Sequence, residues 1–409
     1  MRHHYLDNIR TLTVLLVVIY HVFYMFNGVA AYGVVGPIAD AREAYTAGQY
    51  LDVTGDGVLF AQPQDMTQYL LYPWFMVLLF IVSGMSSRFY LNTHSSKEFA
   101  KSRTVKLLVP STIGLLVFQW IQGYFNMRLS HVLDKIPADV PMLVKYLIMC
   151  MSGIGVLWYI QMLWIFSMVL LLVRMIERGR LAALCDKFGC PNGAVQNVLT
   201  VLLFLVLGVA AWGCFQILNT PVIVVYHFGI YGFVFFLGYY LFANENVIAA
   251  LVKFRFLFAG FAVISGVFYV IQAWGKNYAV EPVVNSPSAV AYLWFMSLAI
   301  LGMMKCYGDK THQVMTFLNR RSWGLYVFHY LPLAALSPLL VYKTNLPPVM
   351  IYLLVAILSF VGGYLINEIV SRIPIVRWCV LGLRKEAVVG DGLDKMSSSS
   401  AAHGTHKGL

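Results

Sequence analysis

The sequence predicts an all-α fold, a polytopic integral membrane bundle of about ten transmembrane helices with both termini in the cytoplasm. Three observations carry that prediction. Of 409 residues, 60% are hydrophobic and only 11% are charged, against roughly 25% charged in soluble domains. Apolar stretches of about 20 residues, the length that crosses a bilayer, recur between clusters of charge, Pro or Gly. The surplus of basic residues, 29 Lys and Arg against 18 Asp and Glu, falls on alternate connections. It therefore reads as a topology signal and not as a nucleic-acid footprint.

The spans fall near residues 11–31, 69–87, 107–126, 155–174, 197–217, 226–243, 256–274, 288–304, 322–342 and 349–370. The first follows Arg2 and Arg10 as a signal peptide would, but it carries His21 and is expected to remain as the first helix. With the N-terminus inside, 23 Lys and Arg lie on cytoplasmic segments and six lie outside: Arg42, Arg128, Lys135, Lys145, Lys276 and Lys343. Positive loops resist translocation, so this asymmetry sets the orientation. The first external loop, 33–68, is acidic and is expected to cap the bundle. Within it Asp52, Thr54, Asp56 and Gly57 imitate the start of an EF-hand, but Pro63 stands at the twelfth position. A bidentate Glu is needed there, and calcium is not expected. Trp74, Trp120, Trp274, Trp323 and Trp378 lie near span ends, as interfacial anchors do. Residues 1–385 thus form the transmembrane domain. Residues 386–409, polar and small from Asp391 onward, are expected to be a disordered cytoplasmic tail.

The six cysteines, Cys150, Cys185, Cys190, Cys214, Cys306 and Cys379, lack paired metal-ligand spacing. No metal site and no disulfide framework are expected. Ionisable residues inside a span are costly, about 2.5–3.5 kcal/mol for a charge at the centre on insertion scales, so each is a functional candidate. The first helix has the best set. Asp7 and Arg10 are three residues apart and can pair on one face; His21, eleven residues past Arg10, returns to within about 20° of its direction and lies roughly 16 Å deeper. Acyl transfer from a thioester needs a base or nucleophile that works near neutral pH, and imidazole suits it. Arg10 would hold the donor's phosphate or position its thioester, and Asp7 would orient Arg10. Alternatively, His21 is interhelical glue and the charge pair only anchors the helix end. His329, with Tyr326 one turn before it, fits either acceptor binding or packing beside Pro332. His227 reads as structural, and Glu368 as an i,i+4 partner of Arg372.

The stretch YLDNIRTLTVLLVVIYH resembles the opening of the membrane-bound acyltransferase family 3, whose first helix carries an arginine and a histidine separated by ten residues. Further segments resemble that family in order: FIVSGMSSRFY (80–90), KSRTVKLLVP (101–110), VLWYIQMLW (156–164) and RSWGLYVFH (321–329). The resemblance implies that His21 is the essential histidine and Arg10 its partner, with Ser83 and Gly84 lining the site. It also implies substrate-binding roles for Trp158, Tyr326 and His329, and for Arg103 and Lys106 where the family often has Arg-x-x-Arg. Lys106 keeps the charge of the second arginine but loses its bidentate fork.

What the resemblance implies is an O-acyltransferase that takes an acetyl or related group from cytoplasmic acyl-CoA (acetyl-CoA or succinyl-CoA) to a hydroxyl of a glycan, lipid or exported metabolite. The nearest flavour is that of glucan succinyltransferases and sugar O-acetyltransferases. Acyl-CoA would be a co-substrate, with no cofactor tightly bound and no nucleic-acid partner. The expected location is the cell membrane, plasma or inner, as a multi-pass protein; a homo-oligomer is left open. Some members append an esterase domain that this sequence lacks, so a second transfer step is expected to need a separate partner. The rival class is a transporter or exporter, which has similar helix numbers but usually shows repeated halves and broken midplane helices.

Overall fold

Ten apolar stretches must bury polar backbone in a medium without water, and helices do so within one segment. The computed structural model describes residues 3–29, 34–49, 51, 61–189, 192–220 and 225–383. Among these, regular structure is helical: α1 (His4–Met25), α2 (Ile38–Thr46), α3 (Met66–Leu91), α4 (Ser96–Leu129), α5 (Met142–Ser152), α6 (Trp158–Glu177), α7 (Arg180–Asp186), α8 (Ala194–Phe215), α9 (Phe228–Phe242), α10 (Glu245–Ala273), α11 (Pro287–Tyr307), α12 (Gln313–Phe328), α13 (Tyr330–Lys343), α14 (Pro348–Arg372) and α15 (Pro374–Leu381). Eight of these, α1, α3, α4, α6, α8, α10, α11 and α14, are long and apolar enough to cross a membrane, and α12 with α13 forms a ninth span bent by 60°. The remaining expected span, near 226–243, corresponds to the shorter apolar helix α9. The Asp52–Gly57 segment and the 386–409 tail lie outside the described residues.

Helix α1 is shifted from expectation at both ends, running over 4–25 in place of 11–31. A hydropathy reading discounts its polar start, but that start is docked. Asn8 donates to the carbonyls of Gly308 (2.7 Å) and Lys310 (2.9 Å), and the Tyr5 amide donates to Asp309 (3.1 Å). Asn319 donates to Asn8 at 3.2 Å, and the Thr11 hydroxyl donates to Asn319. Polar residues satisfied in this way extend the helix at its N-terminal end. Helix α1 packs against α3, α11, α12, α13 and α14, so it runs through the middle of the bundle. That makes its polar face an internal one.

Close backbone approach sets the crossing of α3 with α9. A Cβ added to Gly84 would sit 2.0 Å from the Phe235 carbonyl oxygen, and one added to Gly238 would sit 2.2 Å from that of Ile81. Small residues at such crossings are how membrane helices gain packing without a hydrophobic drive. Two prolines shape the site. Pro110 has no amide for the carbonyl of Lys106, and the turn before it widens into a π-helical turn over Thr104–Leu108. Pro332 likewise leaves the Phe328 carbonyl without its helical donor, and the chain bends between α12 and α13 at His329.

The tryptophan anchors divide. Trp120 and Trp274 are exposed, as interfacial rings are, whereas Trp74 is buried and donates to Leu70 at 2.7 Å. Glu368, expected to pair with Arg372, instead faces Arg321 at 3.6 Å across α14 and α12.

Candidate active site

The polar face of α1 builds two groups of side chains. At its N-terminal end Arg10 pairs with Asp7 at 3.3 Å and donates to the Ser86 hydroxyl on α3. Arg103, on the first part of α4, donates to the next serine, Ser87, at 3.2 Å and lies over the Phe99 ring at 5.0 Å. Lys106 follows within the widened turn and is exposed. Neither Arg103 nor Lys106 has a carboxylate partner among the described residues. By contrast, Arg88 nearby is neutralised by Asp186 at 2.9 Å. Three cations against one carboxylate leave this mouth net positive, which suits an anionic ligand.

Deeper along α1, His21 is half-buried among rings. Tyr20, Tyr330 and Tyr24 present edges to it at centroid distances of 5.1, 5.2 and 6.2 Å, and the His329 ring lies at 5.1 Å. The Nδ1 atom of His21 is 2.8 Å from the Val17 carbonyl oxygen. A carbonyl only accepts, so Nδ1 carries the proton and Nε2 keeps a lone pair. An imidazole in that tautomer is a base with its free nitrogen turned away from its own helix backbone. Outward of His21, Tyr20 and Tyr278 hydroxyls meet at 3.2 Å, Tyr278 donates to Gln68 at 3.0 Å, and Gln68 donates back to the Tyr20 carbonyl at 3.2 Å. Burial pushes the phenol of Tyr278, in the loop between α10 and α11, well above its ordinary value. It therefore stays a neutral hydrogen-bonding group.

The other residues singled out in the sequence are placed as follows. His329 meets His21, its Nε2 lying 3.2 Å from His21 Nδ1. Tyr326 is buried one turn before, its hydroxyl donating to the Val156 carbonyl. Ser83 is buried against Tyr159, the two hydroxyls 2.8 Å apart. Gly84 faces α9 in the helix crossing described above, and Trp158 packs with Phe80, Tyr226 and Tyr231. Sequence reasoning missed Ser86, Ser87 and the tyrosines around His21. The Ser-Ser pair before Arg88 was a visible signal, as were Tyr20 and Tyr24 beside His21 on α1; Tyr330 comes from α13, and no spacing could have gathered it.

The fold and this polar seam define an integral membrane protein whose helices enclose a base beside a cationic mouth. The model of a protein family described as an acyltransferase domain matches residues 3–368. The chain belongs to the membrane-bound acyltransferase family 3 and is a membrane acyltransferase. No curated protein and no solved structure gives a match.

Proposed function

We propose that the protein transfers an acyl group from cytoplasmic acyl-CoA to a hydroxyl acceptor, with His21 as general base. The observation that carries this reading is the tautomer of His21, whose hydrogen bond to Val17 leaves Nε2 free inside the bundle. Two further features support it. The mouth formed by Arg10, Arg103 and Lys106 has an excess of positive charge for the donor's phosphates. A pantetheine arm entering there could reach the depth of His21, roughly 16 Å along the helix axis.

In the proposed step the acceptor's O–H bond breaks and its proton passes to His21 Nε2. The freed oxygen pair attacks the thioester carbonyl, and the tetrahedral species collapses with loss of the C–S bond. The departing thiolate takes the proton back from Nε2, so the base is regenerated. Asp7 holds Arg10, and Arg10, Arg103 and Lys106 bind the donor. The ring of Tyr20, Tyr24 and Tyr330 around His21 suits an acceptor with flat apolar faces, such as a sugar. The acidic external loop favours a neutral acceptor over a polyanion. We place the protein in the cell membrane with both termini cytoplasmic, on the strength of its Lys and Arg asymmetry.

The test is turnover of labelled acetyl-CoA and succinyl-CoA by protein in nanodiscs, compared with a folded His21→Ala variant. Loss of the base is expected to lower kcat by about 10²- to 10⁴-fold. Turnover that survives in the variant would remove His21 from the chemistry. Label retained on the protein after the donor is exhausted would instead make His21 a covalent acyl carrier.

A further inference from the structure

The contact between two histidines from opposite ends of the chain is unexplained by a lone base. His329 Nδ1 lies 3.1 Å from the Leu325 carbonyl oxygen and 2.9 Å from that of Tyr326. Both partners can only accept, so this nitrogen carries a proton and the lone pair of the neutral ring is on Nε2. That lone pair is 3.2 Å from His21 Nδ1, which the Val17 carbonyl has already identified as an N–H. The bond therefore runs one way: His21 donates and His329 accepts.

The placement of His329 is built into the fold. It stands at the break between α12 and α13, where Pro332 disturbs the helical bonding and where a side chain can take up backbone carbonyls. Its own carbonyl accepts from Ser359 of α14 at 2.7 Å, and the side chain is fully buried. Gly363 of α14 keeps that helix against it, since a Cβ there would lie 3.2 Å from the His329 Cα. The Leu325 and Tyr326 carbonyls hold the ring in one orientation, with its lone pair aimed at His21, while Ser359 and Gly363 contact only the His329 backbone.

We infer that His329 is a positioning residue for His21, a neutral acceptor that shares the Nδ1 proton with the Val17 carbonyl, fixes the ring's orientation and supports the imidazolium formed when Nε2 takes a proton. This inference rests on the proposed role of His21 as base. When the acceptor's proton arrives at Nε2, the ring becomes positive and its Nδ1–H bond to His329 strengthens as a charge-assisted bond. A neutral partner does this inside the membrane without adding a buried charge, which a carboxylate in the same place would do. No electron or group is transferred to His329; it receives a hydrogen bond and returns it unchanged.

Three variants in nanodiscs test this: His329→Phe, which removes the acceptor; His329→Gln, which keeps a carbonyl oxygen that can accept; and Ser359→Ala, which disturbs the bend without touching the ring. His329→Phe is expected to lower kcat by roughly 10- to 100-fold, less than the loss of the base itself, with the KM for acetyl-CoA changed by no more than about twofold. His329→Gln recovers most of that loss, and Ser359→Ala leaves kcat near the parent value. Nitrogen-15 NMR of histidine-labelled protein should show His21 protonated at Nδ1 in the parent, with the Nδ1 resonance shifted in His329→Phe as the shared acceptor is lost. Unchanged kcat in a folded His329→Phe overturns the inference, as do equal losses in the Phe and Gln variants with an unshifted His21 Nδ1 resonance. If His329→Phe does not fold, the parent spectrum decides: an Nε2-protonated His21 overturns it. Activity that survives His21→Ala would overturn the function reading itself, a separate outcome.

Discussion

The two halves of the polar seam on α1 solve different problems. At the mouth, Asp7, Arg10, Arg103 and Lys106 are charged, partly exposed and held by few bonds, the firmest being to Asp7, Ser86 and Ser87. At mid-helix, His21 and His329 are held by backbone carbonyls and by each other. Charge is inexpensive where water reaches and costly where it does not, so the ionic groups stay at the mouth and the interior works with neutral rings. The contrast teaches that charged and neutral polar groups can be separated along one helix by depth alone; on the proposed function, the same division separates binding from proton transfer.

This division can be broken from either side. Substitutions at the mouth should act on donor binding and respond to salt, while those at the histidines should act on kcat. The largest effect expected at the mouth is for Arg10→Ala, which removes a charge-assisted contact and should raise the KM for acyl-CoA about 10-fold or more with a smaller change in kcat. A fall in kcat alone, measured in the same steady-state assay, would move Arg10 from binding into the chemistry. Lys106→Ala should be milder, a few-fold rise in KM that shrinks as ionic strength increases, because an exposed amine is readily screened. Its salt dependence sharpens the comparison, since the histidine variants should show none.

The smallest effect concerns the docking that carries the start of α1 to the mouth. Burial pushes the Asp309 carboxyl up, but the Lys305 ammonium and the Tyr5 amide outweigh it, so the carboxyl sits below its ordinary value. A depressed carboxylate stabilises the fold fully above its unfolded value, and that contribution is lost as pH falls through the folded value. Parent and Asp309→Asn should therefore differ in melting temperature near neutral pH and converge in acid. A difference that stays constant with pH would assign the contact to shape and not to charge.

Much of the fold was legible because hydropathy and helix length are local quantities. The long spans appear where apolar runs predicted them, and only the ends moved. Helix α1 began earlier because Asn8 and Thr11 are satisfied by residues 300 to 308 positions away. The bend at α12 and α13 follows from Pro332, a local cause, yet its consequence for His21 is not local. Glu368 shows the same limit: an i,i+4 pairing with Arg372 is what one helix offers, and a neighbouring helix supplied Arg321 in its place.

By itself the sequence determined that this chain is a helical membrane bundle, and the spacing of Asp7, Arg10 and His21 placed them on one face of one helix. Those are properties of a single helix, in which residue number converts directly to angle and depth. Only the tertiary structure decided that Arg10 and Arg103 grip adjacent serines of α3, that Gly84 serves a helix crossing, and that the His21 and His329 rings meet at 3.2 Å. Such meetings depend on how separate helices rotate and cross. That is set by packing of small residues and proline bends across the whole bundle, and no local pattern records it.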